Sequence, residues 1–298
     1  MAIKKHFNGR SGFTLMELLV VIAIITSLIG ILVPGIRGVK RIAKNLEQKS
    51  LFHNIEIGLE TYRKDFGEYP ESTRRQNGGG GPYYTGAQHL AEAMVGRDSR
   101  GFEPMQSRKW SWPGEKPGLY APEPPDSTQE VFDKSIARRK PLYVNLKDTG
   151  AFLPEEMYSD TGEVVSKVSK HRAPFLADMF YRKKITVQET GELVKVGTPI
   201  LYFKANTGSK IYFKDPAGKT NFQDWKFNYY DNQAVIDLGT MEDQSVSHQM
   251  TPEQFYDSIA DRNAPFDRPL NEKTFILISA GYDGIYGTKD DVTNIKIK

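Results

Sequence analysis

The chain has 298 residues, a formal charge of +3 and no cysteine. That length can bury a sizeable core in one large or two modest domains, and the missing cysteine excludes disulfides, thiolate metal sites and a cysteine nucleophile without fixing a compartment. Lys4, Lys5 and Arg10 supply three positive charges before Gly12, so the remainder is formally neutral and nothing in the charge balance points to nucleic acid.

The first element is an apolar run over residues 13–33, 21 residues long. At 1.5 Å per residue it makes about 30 Å of helix, enough to cross the hydrocarbon of a bilayer. It is longer than the apolar core of a secretory signal, and no small-x-small cleavage site follows it; Pro34, Gly35, Ile36 and Arg37 come instead. Glu17 is its one charge. An ionisable group at mid-bilayer costs ~2.5–3.5 kcal/mol and usually has a partner. Taken alone, Glu17 fits equally an interfacial residue favoured by the helix N-terminus.

The string Gly12-Phe13-Thr14-Leu15-Met16-Glu17-Leu18-Leu19-Val20-Val21 resembles the prepilin peptidase site of type IV pilins and type II secretion pseudopilins. The resemblance implies residues 1–12 as a leader, cleavage between Gly12 and Phe13, N-methylation of Phe13, and a Glu17 that meets a neighbouring subunit's N-terminus. Cleavage puts a positive amine on Phe13; in a bundle of such helices, with little water, each amine needs an anion and each carboxylate a cation. Upstream lysines and arginine keep such a leader cytoplasmic. Charge bias alone does not decide orientation, because Arg37, Lys40, Arg41 and Lys44 follow the span. The resemblance implies a single-pass inner-membrane protein with a periplasmic C-terminal domain, whose partners are copies of itself, other pseudopilins, prepilin peptidase and the inner-membrane assembly platform.

Beyond the span, Ile36, Val39, Ala43 and Leu46, then Phe52, Ile55, Leu59, Tyr62 and Phe66, keep helical spacing with one skip. The predicted helix covers residues 13–66, roughly 80 Å, with Gly67 and Pro70 as stop signals. Pro34, Gly35 and Gly38 are poor helix residues, where either a kink or the local melting implied by the resemblance is expected.

Residues 67–298 are expected to form the body. Residues 71–160 read as a Gly/Pro-rich insertion. Within it Gly78-Gly79-Gly80-Gly81 lacks the Gly-Lys-Ser/Thr of a phosphate loop. Residues 85–95 read as a short helix ending at Gly96, and Trp110 and Trp112 as local packing in extended chain. Two hairpins are predicted, 185–187 with 193–196 and 201–204 with 210–213, and an apolar strand over 275–278. The expected fold is α+β: a long N-terminal helix packed on a C-terminal antiparallel sheet, the pilin fold.

Near the C-terminus Asp283, Asp290 and Asp291 bring three carboxylates within nine residues, among Gly281, Gly284 and Gly287. By composition this is either a glycine-rich turn with solvated acids or a cation site. Calcium takes six to eight oxygens at about 2.3–2.6 Å, although the spacing is not that of an EF-hand. The segment from Ile278 and Ser279 through Asp291 resembles the calcium loop of G-type, or major, pseudopilins. This implies structural Ca2+ held with Ser279, Asp283, Asp290 and Asp291. The chain is about twice the usual length of that group. The five histidines are scattered, and no nucleophile elbow or His-Glu-x-x-His occurs, so a non-catalytic subunit is expected, of a secretion pseudopilus or of a surface pilus.

Overall fold

The computed structural model describes residues 13–76, 82–104, 119–146, 149–158, 168, 173–187, 190–211, 225–265 and 268–295. The architecture is α+β: a long N-terminal helix followed by small antiparallel sheets, as expected of a pilin-like fold. Contacts divide the chain into two units between Lys44 and Asn45.

Helix α1 runs Leu15–Phe66, 52 residues, and its helical backbone continues through Pro34, so it is not melted there. Thr14 and Glu17 open it reciprocally. The Glu17 amide donates to Thr14 Oγ1 at 3.2 Å, and the Thr14 amide and hydroxyl donate to Glu17 Oε2 at 2.9 Å. This satisfies amides that a helix start leaves without partners. In the first unit the apolar side chains from Leu15 to Val33 are exposed. An 18-residue window there has mean hydropathy 2.7, so this part of α1 is long and apolar enough to cross a membrane.

In the second unit the end of α1 turns Gln48, Leu51, Phe52, Ile55 and Leu59 inward, the three-and-four spacing of one helix face. They share a core with Leu90 and Met94 of α2 (Gly86–Val95) and with Tyr202 and Leu277 of the sheet. Leu59 is fully buried, and truncating such a side chain to alanine costs ~2–5 kcal/mol. Gln48 is buried because its Oε1 accepts from the Met179 amide at 2.8 Å. Across the fold, Asn294 Nδ2 donates to Glu56 Oε1 at 3.1 Å, tying the C-terminal segment to the same helix.

The central sheet has the order β7 (Leu201–Lys204), β8 (Phe275–Ser279), β9 (Val292–Thr293), all antiparallel. Tyr202, Phe275 and Leu277 face α1 and α2. Leu201, Phe203, Ile276 and Ile278 face a second core with Val235 of α5 (Gln233–Ile236) and Phe255 and Ile259 of α6 (Pro252–Ile259). Burial on both faces is why these strands read as continuous apolar runs rather than alternating ones. The other sheets are two-stranded: β1 (Arg75–Gln76) with β2 (Tyr83–Tyr84), β3 (Ala151–Phe152) with β4 (Phe175–Leu176), and the hairpin β5 (Lys183–Thr186) with β6 (Leu193–Val196).

Among the described residues, one expected hairpin is not seen: β7 pairs with β8, Lys210 and Ile211 do not pair with β7, and Tyr212 and Phe213 lie outside the described residues. The turn after β7 does form, with Gly208 donating to Asn206 Oδ1 at 3.2 Å and Ser209 to Asn206 O at 3.1 Å. The chain leaving it then lies beside Trp225, where Lys226 donates to Ile211 O at 2.8 Å.

The insertion is more ordered than its composition suggests. Every residue of α2 is buried, and Thr85 caps it with Gln88. Gly86 is required there, since a Cβ would meet Tyr202 O at 2.3 Å. Beyond α2 a buried charge network replaces apolar packing. Arg97 Nε donates to Glu92 at 2.8 Å, and Arg139 to Asp98 at 2.6 Å. Glu103 accepts from Ser135 at 2.7 Å and from Arg138 Nε at 2.9 Å. These bonds fasten α3 (Gln129–Arg138), which the sequence reading did not anticipate. A short α4 (Pro154–Met157) follows it. Gly78 to Gly81, Trp110 and Trp112 lie outside the described residues.

Candidate functional site

At the N-terminus Gly12 lies outside the described residues, and Phe13 is the first described residue, fully in the open. Glu17 follows on the first turn of α1 and accepts from Thr14. A carboxylate here meets the positive end of the helix dipole. In the single chain its only partners among the described residues are on Thr14, so the charge has no cation. The Thr-x-x-Glu spacing is the capping signature that the sequence reading passed over. Leu15, Met16, Leu18 and Leu19 beside it are exposed. So continuous an apolar surface is stable only in lipid or against other apolar helices.

The acidic loop follows β8. Ser279 is buried at the strand end, and its hydroxyl donates to Asp178 Oδ2 at 2.7 Å while accepting from the Gly281 amide at 3.3 Å. It is thus spent on the interior. Of the other three predicted ligands, Asp283 and Asp290 touch, through the Asp283 backbone, and Asp291 bonds elsewhere in the loop. The Asp283 amide donates to Asp290 Oδ2 at 2.9 Å, and Asp283 Oδ1 accepts from Ile285 at 2.8 Å. Asp290 Oδ1 accepts from Thr288 Oγ1 at 2.9 Å, and Asp291 Oδ2 from the Gly287 amide at 2.8 Å. Gly281 at φ +63° is indispensable to this winding, because a Cβ there would lie 1.9 Å from Asp290 O.

Asp291 Oδ1 is buried with no hydrogen-bond partner. Burial first, then the charges of Asp283 and Asp290, push the Asp291 carboxyl up to about 7. Asp283 is raised by burial and by Asp290. Oxygen donors alone, one of them orphaned, suit a hard cation in kind. In placement they are not gathered: among the described residues no three acidic or imidazole groups converge on one point.

Asp178, not anticipated from the sequence, anchors the base of this loop. It is buried and accepts from the Phe180 and Thr198 amides at 3.0 Å and from Ser279. Burial pushes it up to about 7 from an ordinary 3.8. A carboxyl raised on folding contributes stability that is full below the unfolded pKa and is lost as pH rises through the folded one. Asp178→Asn, neutral throughout, is therefore expected to trail the unaltered protein in thermal midpoint near pH 5 and to close that gap by pH 8. A pH-independent gap would show that Asp178 is ionised in the folded state throughout.

Residues 7–33 match the prokaryotic N-terminal methylation motif, the signal of type IV pilin-class proteins. No curated protein and no solved structure matches the chain. The motif implies a type IV pilin-like substrate of prepilin peptidase that is processed and assembled into filaments.

Proposed function

We propose that this chain is a structural, non-catalytic subunit of a type II secretion pseudopilus. Prepilin peptidase cuts between Gly12 and Phe13 and Phe13 is methylated. The mature chain sits in the inner membrane by residues 13–33 with its C-terminal domain in the periplasm, and the assembly platform polymerises it with copies of itself and other pseudopilins. Heterologous contacts of this kind give an open helical polymer. The methylation motif carries the filament class. The choice of pseudopilus over surface pilus rests on the acidic loop of Asp283, Asp290 and Asp291, which resembles that of major pseudopilins. Deleting the chain from its native cell tests the choice. Loss of export of folded periplasmic proteins, with surface pili intact, is expected; intact export with lost pili would make it a type IV pilus subunit.

The same reading assigns Ca2+ to the loop. The orphaned Asp291 Oδ1 supports it, and Asp283 and Asp290 would join by swinging off their present backbone donors. Bound calcium neutralises acids that otherwise repel. For the full chain in detergent, calcium at 100 times its Kd is expected to raise the thermal midpoint by roughly 5–10 °C over chelator, and Asp291→Ala to abolish the rise. An unchanged midpoint in millimolar calcium would make these acids ordinary surface charge.

A further inference from the structure

The acidic loop already has one cation against it, and that cation comes from elsewhere in the chain. Arg182 lies just before β5, where its amide donates to Val196 O at 2.7 Å and fixes its backbone to the β5–β6 hairpin. Its side chain crosses to the start of the loop. There Nη2 donates to Gly281 O at 2.8 Å and also to Tyr282 O. The loop closes around the guanidinium. A Cβ on Gly284 would lie 2.8 Å from Arg182 Nε, and the Tyr282 ring centroid is 6.0 Å from Cζ. These contacts fall on the residues immediately before and after Asp283 in a loop that holds three carboxylates within nine residues.

A charged donor shared by two carbonyls is worth more than a neutral one, because a full positive charge acts on both dipoles. Arg182 thus orders the backbone that carries Asp283 with a charged donor held from outside the loop.

We propose that Arg182 is a positioning residue for the acidic loop, whose hold on the Gly281 and Tyr282 carbonyls keeps residues 281–291 folded when no divalent cation is bound. The proposal rests on the reading of this loop as a cation site, since it predicts how the tethered cation and an added one share the work. Removing the guanidinium should shift that share to the added ion.

The test uses the full chain in detergent, as the unaltered protein, Arg182→Met and Arg182→Lys, in chelator and in millimolar calcium chloride. Amide hydrogen exchange over residues 281–291 and the thermal midpoint are read in each. In chelator, Arg182→Met is expected to speed exchange across the loop at least tenfold, and calcium to reverse most of that gain. Its midpoint should fall further in chelator than in calcium, so its calcium-induced rise exceeds that of the unaltered protein. Arg182→Lys, keeping the charge without the fork, should fall between them; should Arg182→Met fail to fold, it serves as the test at smaller amplitude. Unchanged exchange in chelator would overturn the proposal, as would equal loss with and without calcium where the unaltered protein itself does respond to calcium, which marks plain packing. If Arg182→Met loosens the loop in chelator and calcium alters none of the three proteins, the calcium reading falls while the role of Arg182 stands.

Discussion

Glu17→Ala is expected to give a chain that inserts and is cleaved yet forms almost no filament. Among the described residues Glu17 accepts only from Thr14, and no cation among them offsets its charge, while the side chains beside it are apolar and exposed. Cleavage before Phe13 makes a cation within the same first turn of sequence. When helices pack side by side, the carboxylate of one and the amine of the next can neutralise each other, which fixes their axial register. Deleting one member of a buried ion pair strands the other and costs ~3–5 kcal/mol. At 1.4 kcal/mol per tenfold, that lowers subunit affinity by more than about a hundredfold. Glu17→Gln separates this from helix capping, because glutamine serves equally at the third position of a capping box. It should keep the helix start and fail in assembly like alanine. Filaments of normal yield and length from Glu17→Ala would remove the pairing from the account.

Replacing Gly12 with a bulky residue is expected to block maturation altogether, leaving uncut, membrane-bound precursor. A peptidase must bring its groups against the backbone of the bond it cuts, and glycine presents no Cβ to obstruct that approach. The block should carry through to assembly, since without cleavage Phe13 has no amine to offer Glu17 of a neighbour. N-terminal sequencing of the mature protein should begin at Phe13; any other first residue would end this reading of the leader. Chain retained but uncut also differs from chain that fails to insert, so membrane fractionation and leader retention together identify the step lost.

Local signals in the sequence were reliable where the structure they specify is local. The helical spacing through Phe66, the Thr85 start of α2, the β5–β6 return and the apolar run of β8 are each encoded within a dozen residues or so. Pairing chosen at a distance was not legible. β7 leads into a turn that forms as predicted, yet it bonds to a strand some seventy residues further on. The same limit hid Asp178 and Arg182 beneath the acidic loop, about 100 residues away in sequence. The direction of the Ser279 side chain was not legible either: the strand end turns its hydroxyl inward to Asp178. The buried network from Glu92 to Arg139 carries no signal in sequence, because each partner is an ordinary surface residue type until the fold excludes water from it.

The arrangement of the central sheet also decides when this protein can become folded. β8 supplies both cores, and it lies within the last two dozen residues of the chain. Until it is synthesised, Leu201, Tyr202 and Phe203 have no ladder, and the buried face of α1 has no sheet to meet. The hydrophobic N-terminal helix, by contrast, needs nothing downstream. Contacts of such long sequence separation form late and slowly. The N-terminal helix therefore forms first and the body closes last, so a nascent or truncated chain stopping short of Phe275 is expected to hold its helix but fail to fold, with its apolar strand open to proteases.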